Sequence, residues 1–249
     1  MKINKITASI CLLLVAVFGL ALMLIPNEAS LVIGVVSGIF TGFIVSVVTS
    51  LIGYFNEKSQ ITYKLQSNIK SLYINMATLK DVTGNILVQI AKTTSLSKLS
   101  FDNITSSADL NVELVNDMKL EMYEGFFSNS KLAHICTDFI KYKNKMYNLK
   151  NIAAQIEIES LKYDLQMQSL EEQRLRGIMI NPQEIEYSES LKNKVNIMTA
   201  KLHEYEASLL IELDDLASWF YENKVKKSSW NEVKSSLQCE AKDILSIRN

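Results

Sequence analysis

Apolar residues follow two different patterns along this chain. Residues 6–55 are almost continuously apolar, whereas from residue 56 onward apolar side chains recur in steps of three and four among polar ones. Ile6 to Ile25 holds 20 residues without a charge. At about 1.5 Å per residue, that length crosses the roughly 30 Å hydrocarbon core of a bilayer once. Pro26-Asn27-Glu28-Ala29-Ser30 reads as a turn, and Leu31 to Phe55 supplies a second apolar stretch of 25 residues. The first pattern therefore predicts a transmembrane hairpin over residues 1–56, with spans at about 6–25 and 31–55. The second span exceeds what a perpendicular crossing needs. Nothing at Gly53-Tyr54-Phe55-Asn56 breaks it, and Ile61, Leu65, Ile69, Leu72, Met76, Leu79, Ile86 and Ile90 continue a helical seam. One helix is expected to run on from the span, with Gly84 as its weakest point.

The second pattern fills residues 57–249. After a Ser/Thr-rich stretch (Thr93 to Ser107), Leu110, Leu114, Met118, Met122 and Phe126 recur every fourth residue, predicting a short amphipathic helix that ends near Gly125 to Asn129. Leu132, Ile135, Phe139, Tyr142, Met146, Leu149, Ala153, Ile156, Ser160, Tyr163, Met167 and Leu170 then alternate steps of three and four, a heptad seam. Arg176-Gly177 to Asn181-Pro182 supplies a stop, a turn and a proline suited to a new helix start. Leu191, Val195, Met198, Leu202, Tyr205, Leu209, Leu213, Leu216 and Phe220 form a second seam. Two long helices joined by a short loop should pack antiparallel, giving a coiled-coil hairpin over about 130–225. A last helix, Trp230 to about Ile247, is capped by Ser228-Ser229. The expected fold is all-α: a two-helix transmembrane hairpin followed by a coiled-coil-like cytoplasmic bundle of long helices.

Composition agrees with this reading and adds direction. Of eight glycines, only Gly84, Gly125 and Gly177 lie beyond the spans, with one proline, Pro182. A β-rich domain of that size would need many more turn formers. Of 26 basic residues only Lys2 and Lys5 precede residue 56, and of 27 acidic residues only Glu28 does. The tail is thus nearly neutral, and no nucleic-acid partner is expected. Lys2 and Lys5 before the spans, Lys58 and Lys64 after them, and no base between them place both termini in the cytoplasm. A cleaved signal peptide is the competing reading of the first segment. Its long apolar core and the absence of a small-x-small site before Glu28 favour the hairpin. Cys11, Cys136 and Cys239 lie too far apart for a disulfide framework and suit a reducing compartment.

Small residues mark the second span. Gly34, Gly38, Gly42, Ser46 and Ser50 recur every fourth residue, beside a second row with Ser37, Thr41, Thr49 and Gly53. Lipid gives no reason for such a stripe, whereas close approach of another helix does. Two partners fit: the first span through Ala8, Ala16 and Gly19, or the second span of another copy. A narrow aqueous path lined by Ser37, Thr41, Ser46, Thr49 and Ser50 is the functional alternative to plain packing.

A search for chemistry finds little. His134 and His203 have no partner at metal-ligand spacing, and His134 with Cys136 would lie on divergent faces. No phosphate loop, nucleophile elbow or kinase signature occurs, so no enzyme, metal or cofactor is expected. Lys224, Lys226 and Lys227 near Trp219, Tyr221 and Trp230 form the one basic-aromatic cluster. It suits either a helix C-terminus answering its dipole or a contact with headgroups or nucleic acid.

The hairpin from Cys11 to Phe55, above all GVVSGIFTGFIVSVVTSLIGYFNEK, followed by a motif-free helical tail, resembles bacterial two-span membrane effectors of antiphage defence, of the retron or nucleotide-signalling type. The resemblance implies a protein that stays silent in the membrane until a cytoplasmic signal reaches its tail and then impairs the bilayer. Together with the ridge of Gly34, Gly38, Gly42, Ser46 and Ser50, the expectation is a homo-oligomeric inner-membrane effector whose second spans assemble through that ridge. It carries no ligand residue onto this chain. The alternative is a membrane-anchored scaffold or receptor subunit whose seams recruit a cytoplasmic protein.

Overall fold

The computed structural model describes residues 2–24, 26, 30–93, 95–96, 99–118, 133–225 and 229–248, with the backbone alone for 2–5, 133–136 and 240–248. The described residues are almost wholly helical. They form α1 (Lys2–Leu24), α2 (Ser30–Ile90), α3 (Phe101–Asp117), α4 (Ala133–Leu175), α5 (Pro182–Phe220, closed by a π-turn at Tyr221–Val225) and α6 (Trp230–Arg248). By its contacts the chain divides into two compact units, one holding residues 1–65, the other residues 66–121 and 132–249. Helix α2 is a single element of 61 residues and contributes to both.

In the first unit, α1 and the start of α2 are long and apolar enough to cross a membrane, and the apolar windows of both are unburied. They meet through aromatic side chains. The Phe18 and Phe43 rings lie 5.4 Å apart, and a Cβ on Gly19 would sit 3.4 Å from the Phe40 ring. Ala8 and Cys11 are buried on α1, and Ala16 is exposed.

In the second unit, α2 presents Ile69, Leu72, Met76, Leu79, Ile86 and Ile90, all buried. At Gly84, the expected weak point, α2 passes through unbroken. The antiparallel course of α4 and α5 follows from their polar pairs, because partners from α4 rise in number as those from α5 fall. Lys145 meets Glu212, Glu159 meets Lys194 at 3.1 Å, and Gln173 meets Glu184 at 3.0 Å. The turn between them is built as its residues predict. Gly177 takes φ 73°, a conformation that side-chain-bearing residues avoid, and Asn181 Oδ1 accepts from Gln183 N at 3.0 Å with Pro182 opening the helix. Along α4, Phe139, Tyr142, Met146, Leu149, Ile156 and Tyr163 are buried and Met167 is half-buried. Leu191, Val195, Leu202 and Leu209 are buried on α5. Ser229 Oγ accepts from Glu232 N at 3.3 Å at the start of α6.

Helix α3 departs from expectation. It begins at Phe101, inside the supposed polar stretch, and its buried face is Phe101, Ile104, Ala108, Asn111, Val112 and Val115. Leu110, expected in the core, is exposed, and Leu114 is half-buried. A short helix packed on larger ones settles on the face that fits their grooves, and an Ala and an Asn fit better here than the Leu row. Met122 and Phe126, and the helix end expected near Gly125, lie outside the described residues.

Candidate functional site

The small-residue stripe of α2 is not one face. At 3.6 residues per turn, every fourth residue advances by about 40°, so the row winds around the helix. Gly34, Gly38 and Gly42 are exposed and Ser46 and Ser50 half-buried, which marks that drift. A Cβ added at Gly34, Gly38 or Gly42 would meet nothing within 4 Å. Within one chain, then, α1 does not pack on Gly34, Gly38 or Gly42. It packs on the Phe40 and Phe43 side, where ring area outweighs the close approach that glycine offers.

The hydroxyls of the stripe look after themselves. Thr41 donates to the Ser37 carbonyl at 2.8 Å, Ser46 to Gly42 at 2.9 Å and Thr49 to Val45 at 2.9 Å. These bonds to the preceding turn leave those three groups with no need of water or a partner's acceptor. What the exposed glycines offer is a low profile, suited to another helix.

A second constellation lies in the core of the second unit, where the periodicity of the sequence left gaps. Thr83 on α2 and Glu206 on α5 are both fully buried. Thr83 Oγ1 stands 2.9 Å from Glu206 Oε1 and 3.0 Å from the Leu79 carbonyl. Burial pushes the Glu206 carboxyl from 4.5 up to about 8, although a bond from Thr83 and the charge of Lys80 favour the ion. At neutral pH it is a carboxylic acid. It can then donate to Thr83 Oγ1 while Thr83 donates to Leu79, which satisfies both contacts with one proton each.

His203 completes the cluster, half-buried, with Nδ1 3.8 Å from Glu206 Oε2 and neither atom otherwise hydrogen-bonded. Its ring packs on α2 at Gly84, where a Cβ would come within 3.2 Å of Cε1. A side chain here would make the His203 ring give way by a few tenths of an ångström. The α5 seam correspondingly buries Thr199 and Glu206, while Met198 and Tyr205, expected in the core, are half-buried. Helix α5 faces α4 through Tyr205, whose hydroxyl donates to the Lys145 carbonyl at 3.3 Å, and faces α2 through Glu206. Its buried face is therefore wider than a single seam.

Two rings of the basic-aromatic cluster are interior, while Trp219 and Lys224 are half-buried. Tyr221 and Trp230 are buried, Trp230 stacks edge-on against Tyr73 at 5.4 Å, and its Nε1 donates to Asp214 Oδ1 at 2.6 Å. Neither ring is available to stack on a base or a headgroup. Lys226 and Lys227 lie outside the described residues, as do the side chains of His134 and Cys136, while Cys11 and Cys239 are free thiols. A cleft of about 750 Å³ beside the α4–α5 turn mixes Asp164, Glu171 and Glu189 with Arg174 and Lys192. No His, Cys, Asp or Glu group among the described residues is placed to hold a metal ion. No protein-family model, curated protein or solved structure matches this chain.

Proposed function

We propose that this chain is a non-enzymatic bacterial membrane effector. It oligomerises through α2 in the inner membrane, with both termini cytoplasmic, and perturbs or permeabilises the bilayer when its helical domain is triggered, in antiphage defence. The observation that supports this is the open space beside Gly34, Gly38 and Gly42. A smooth helix surface that the chain leaves uncovered is suited to another copy of itself, and packed helices with two arrangements can be switched without chemistry. Entry of a membrane-impermeant dye into cells expressing the protein tests the reading. Dye entry that a Gly38→Leu plus Gly42→Leu variant abolishes is the expected result. Full activity in that variant, or no permeability change under any trigger, contradicts it.

A second reading is carried by the α4–α5 turn, where Leu175 and Met179 are 81% and 94% exposed. Bare apolar side chains at the end of a helical hairpin suit a protein-recruiting scaffold for which the apolar helices are only an anchor. Exchanging residues 1–56 for an unrelated two-span anchor separates the readings: a scaffold keeps its function, an effector loses it.

A further inference from the structure

Helix α4 carries a short second apolar row, one heptad long, on its outer side. Ile158, Leu161 and Leu165 follow steps of three and four and are 52%, 56% and 66% exposed. At about 100° per residue, this row lies opposite the buried seam of Ile156 and Tyr163. The positions flanking it differ in charge. On one side stand Glu157, Asp164 and Glu171, and on the other Gln155, Lys162 and Ser169.

We propose that Ile158, Leu161 and Leu165 dock on the same residues of a second copy of this chain, parallel and in register, as a short two-stranded coiled coil. Heptad spacing calls for a helix as the partner, and charge chooses which one. In the parallel register, Glu157 of each copy lies beside Lys162 of the other, and the acidic side never meets itself. The antiparallel register sets Glu157 against Asp164 twice.

The bonds these residues make within one chain leave the pairing free to form. Glu157 accepts from Thr105 at 2.6 Å through Oε2, which leaves Oε1 for the second copy. Lys162 lies 2.9 Å from Glu159, but Lys194 holds the same carboxylate oxygen at 3.1 Å. Glu159 therefore keeps a cation when Lys162 turns to the other copy. Three apolar layers are few for a dimer in dilute solution. The pairing rests on the membrane reading above for its local concentration, since anchoring in one bilayer makes a weak contact effective.

The test uses the full-length chain in membranes, with Cys11, Cys136 and Cys239 changed to Ser. Leu161→Cys is compared with Ile211→Cys, an exposed position on α5. The expected disulfide dimer at Leu161 exceeds that at Ile211 on the order of tenfold. Glu157→Lys and Lys162→Glu, each alone, should lower the Leu161 dimer several-fold, and together should restore it. Equal yields at Leu161 and Ile211 overturn the pairing, and so do preferred mixed dimers between Ile158→Cys and Leu161→Cys, the antiparallel signature. Vesicle flotation is measured on the same samples. In a chain that fails to float the membrane reading falls, and the pairing falls with the local concentration that reading supplies; in a chain that floats, the Leu161-to-Ile211 ratio alone decides the pairing.

Discussion

Gly42 and Gly84 lie on the same helix and face opposite circumstances. Around Gly42 there is open space; against Gly84 stands the His203 ring, 3.2 Å from where a Cβ would be. Thr41 and Thr83 repeat the contrast. Each bonds to the carbonyl four residues back, but Thr41 is exposed, and Thr83 is buried against Glu206. The same residue types serve two purposes. In the second unit they let α2 and α5 close around a buried acid, while in the apolar segment they leave a surface that the chain does not use itself. Small and polar residues on a helix thus mark close approach, and only the neighbours tell whether the approach is internal.

The largest break in that comparison comes from pH. Unfolded, Glu206 titrates near 4.5; folded, near 8. Below about 4.5 both states hold the proton, so its contribution is complete there. Between the two values only the folded chain holds it, and stability falls as pH rises. Above about 8 both states are ionised and the loss is complete, on the order of 5 kcal/mol at most. Chemical denaturation between pH 5 and 9 should show this slope, and Glu206→Gln, whose amide can donate to Thr83 as the protonated acid does and cannot ionise, should flatten it.

Gly84→Leu comes next. Pushing a side chain into His203 should cost about 3 kcal/mol by overpacking, read as a lowered melting temperature by circular dichroism. Gly42→Leu, in open space within one chain, should leave the melting temperature of the detergent-solubilised monomer unchanged, and a comparable loss there would erase the distinction between the two glycines. Asp214→Asn sharpens the picture inside the body. It weakens the acceptors for Trp230 at 2.6 Å and Lys234 at 2.7 Å, and should loosen α6 by about 1–2 kcal/mol with a red-shifted Trp emission. Smallest is Asn181→Ala, which removes the α5 cap and should cost about 1 kcal/mol in thermal denaturation.

Much of the helical plan was legible because it rests on residues with one local role. Gly177, Asn181 and Pro182 state the turn outright, and Phe139, Tyr142 and Met146 lie on a seam that hardly any other fold would bury. The buried polar cluster of Thr83, Glu206 and His203 was not legible, because a periodicity built from apolar residues sees a buried polar residue as a gap. The step of seven from Leu79 to Ile86 skips Thr83, and Tyr205 took the place that Glu206 holds. A gap of seven within an otherwise faultless seam was the available signal. Helix α3 failed for a related reason: Leu110 and Leu114 outweigh Ala108 and Asn111 in hydrophobicity, yet the neighbours accept the smaller pair. The stripe on α2 was legible as composition, and its partner was not, since partner choice depends on which face Phe18 and Phe43 claim.

The central claim is that the exposed glycines of α2 are covered by a second α2. Disulfide formation by Gly38→Cys in membranes of cells expressing the otherwise cysteine-free chain tests it most directly, with Ile39→Cys as the comparison on the neighbouring face. The account predicts a covalent dimer at Gly38 and little at Ile39. Efficient coupling at Ile39 with none at Gly38 would contradict it.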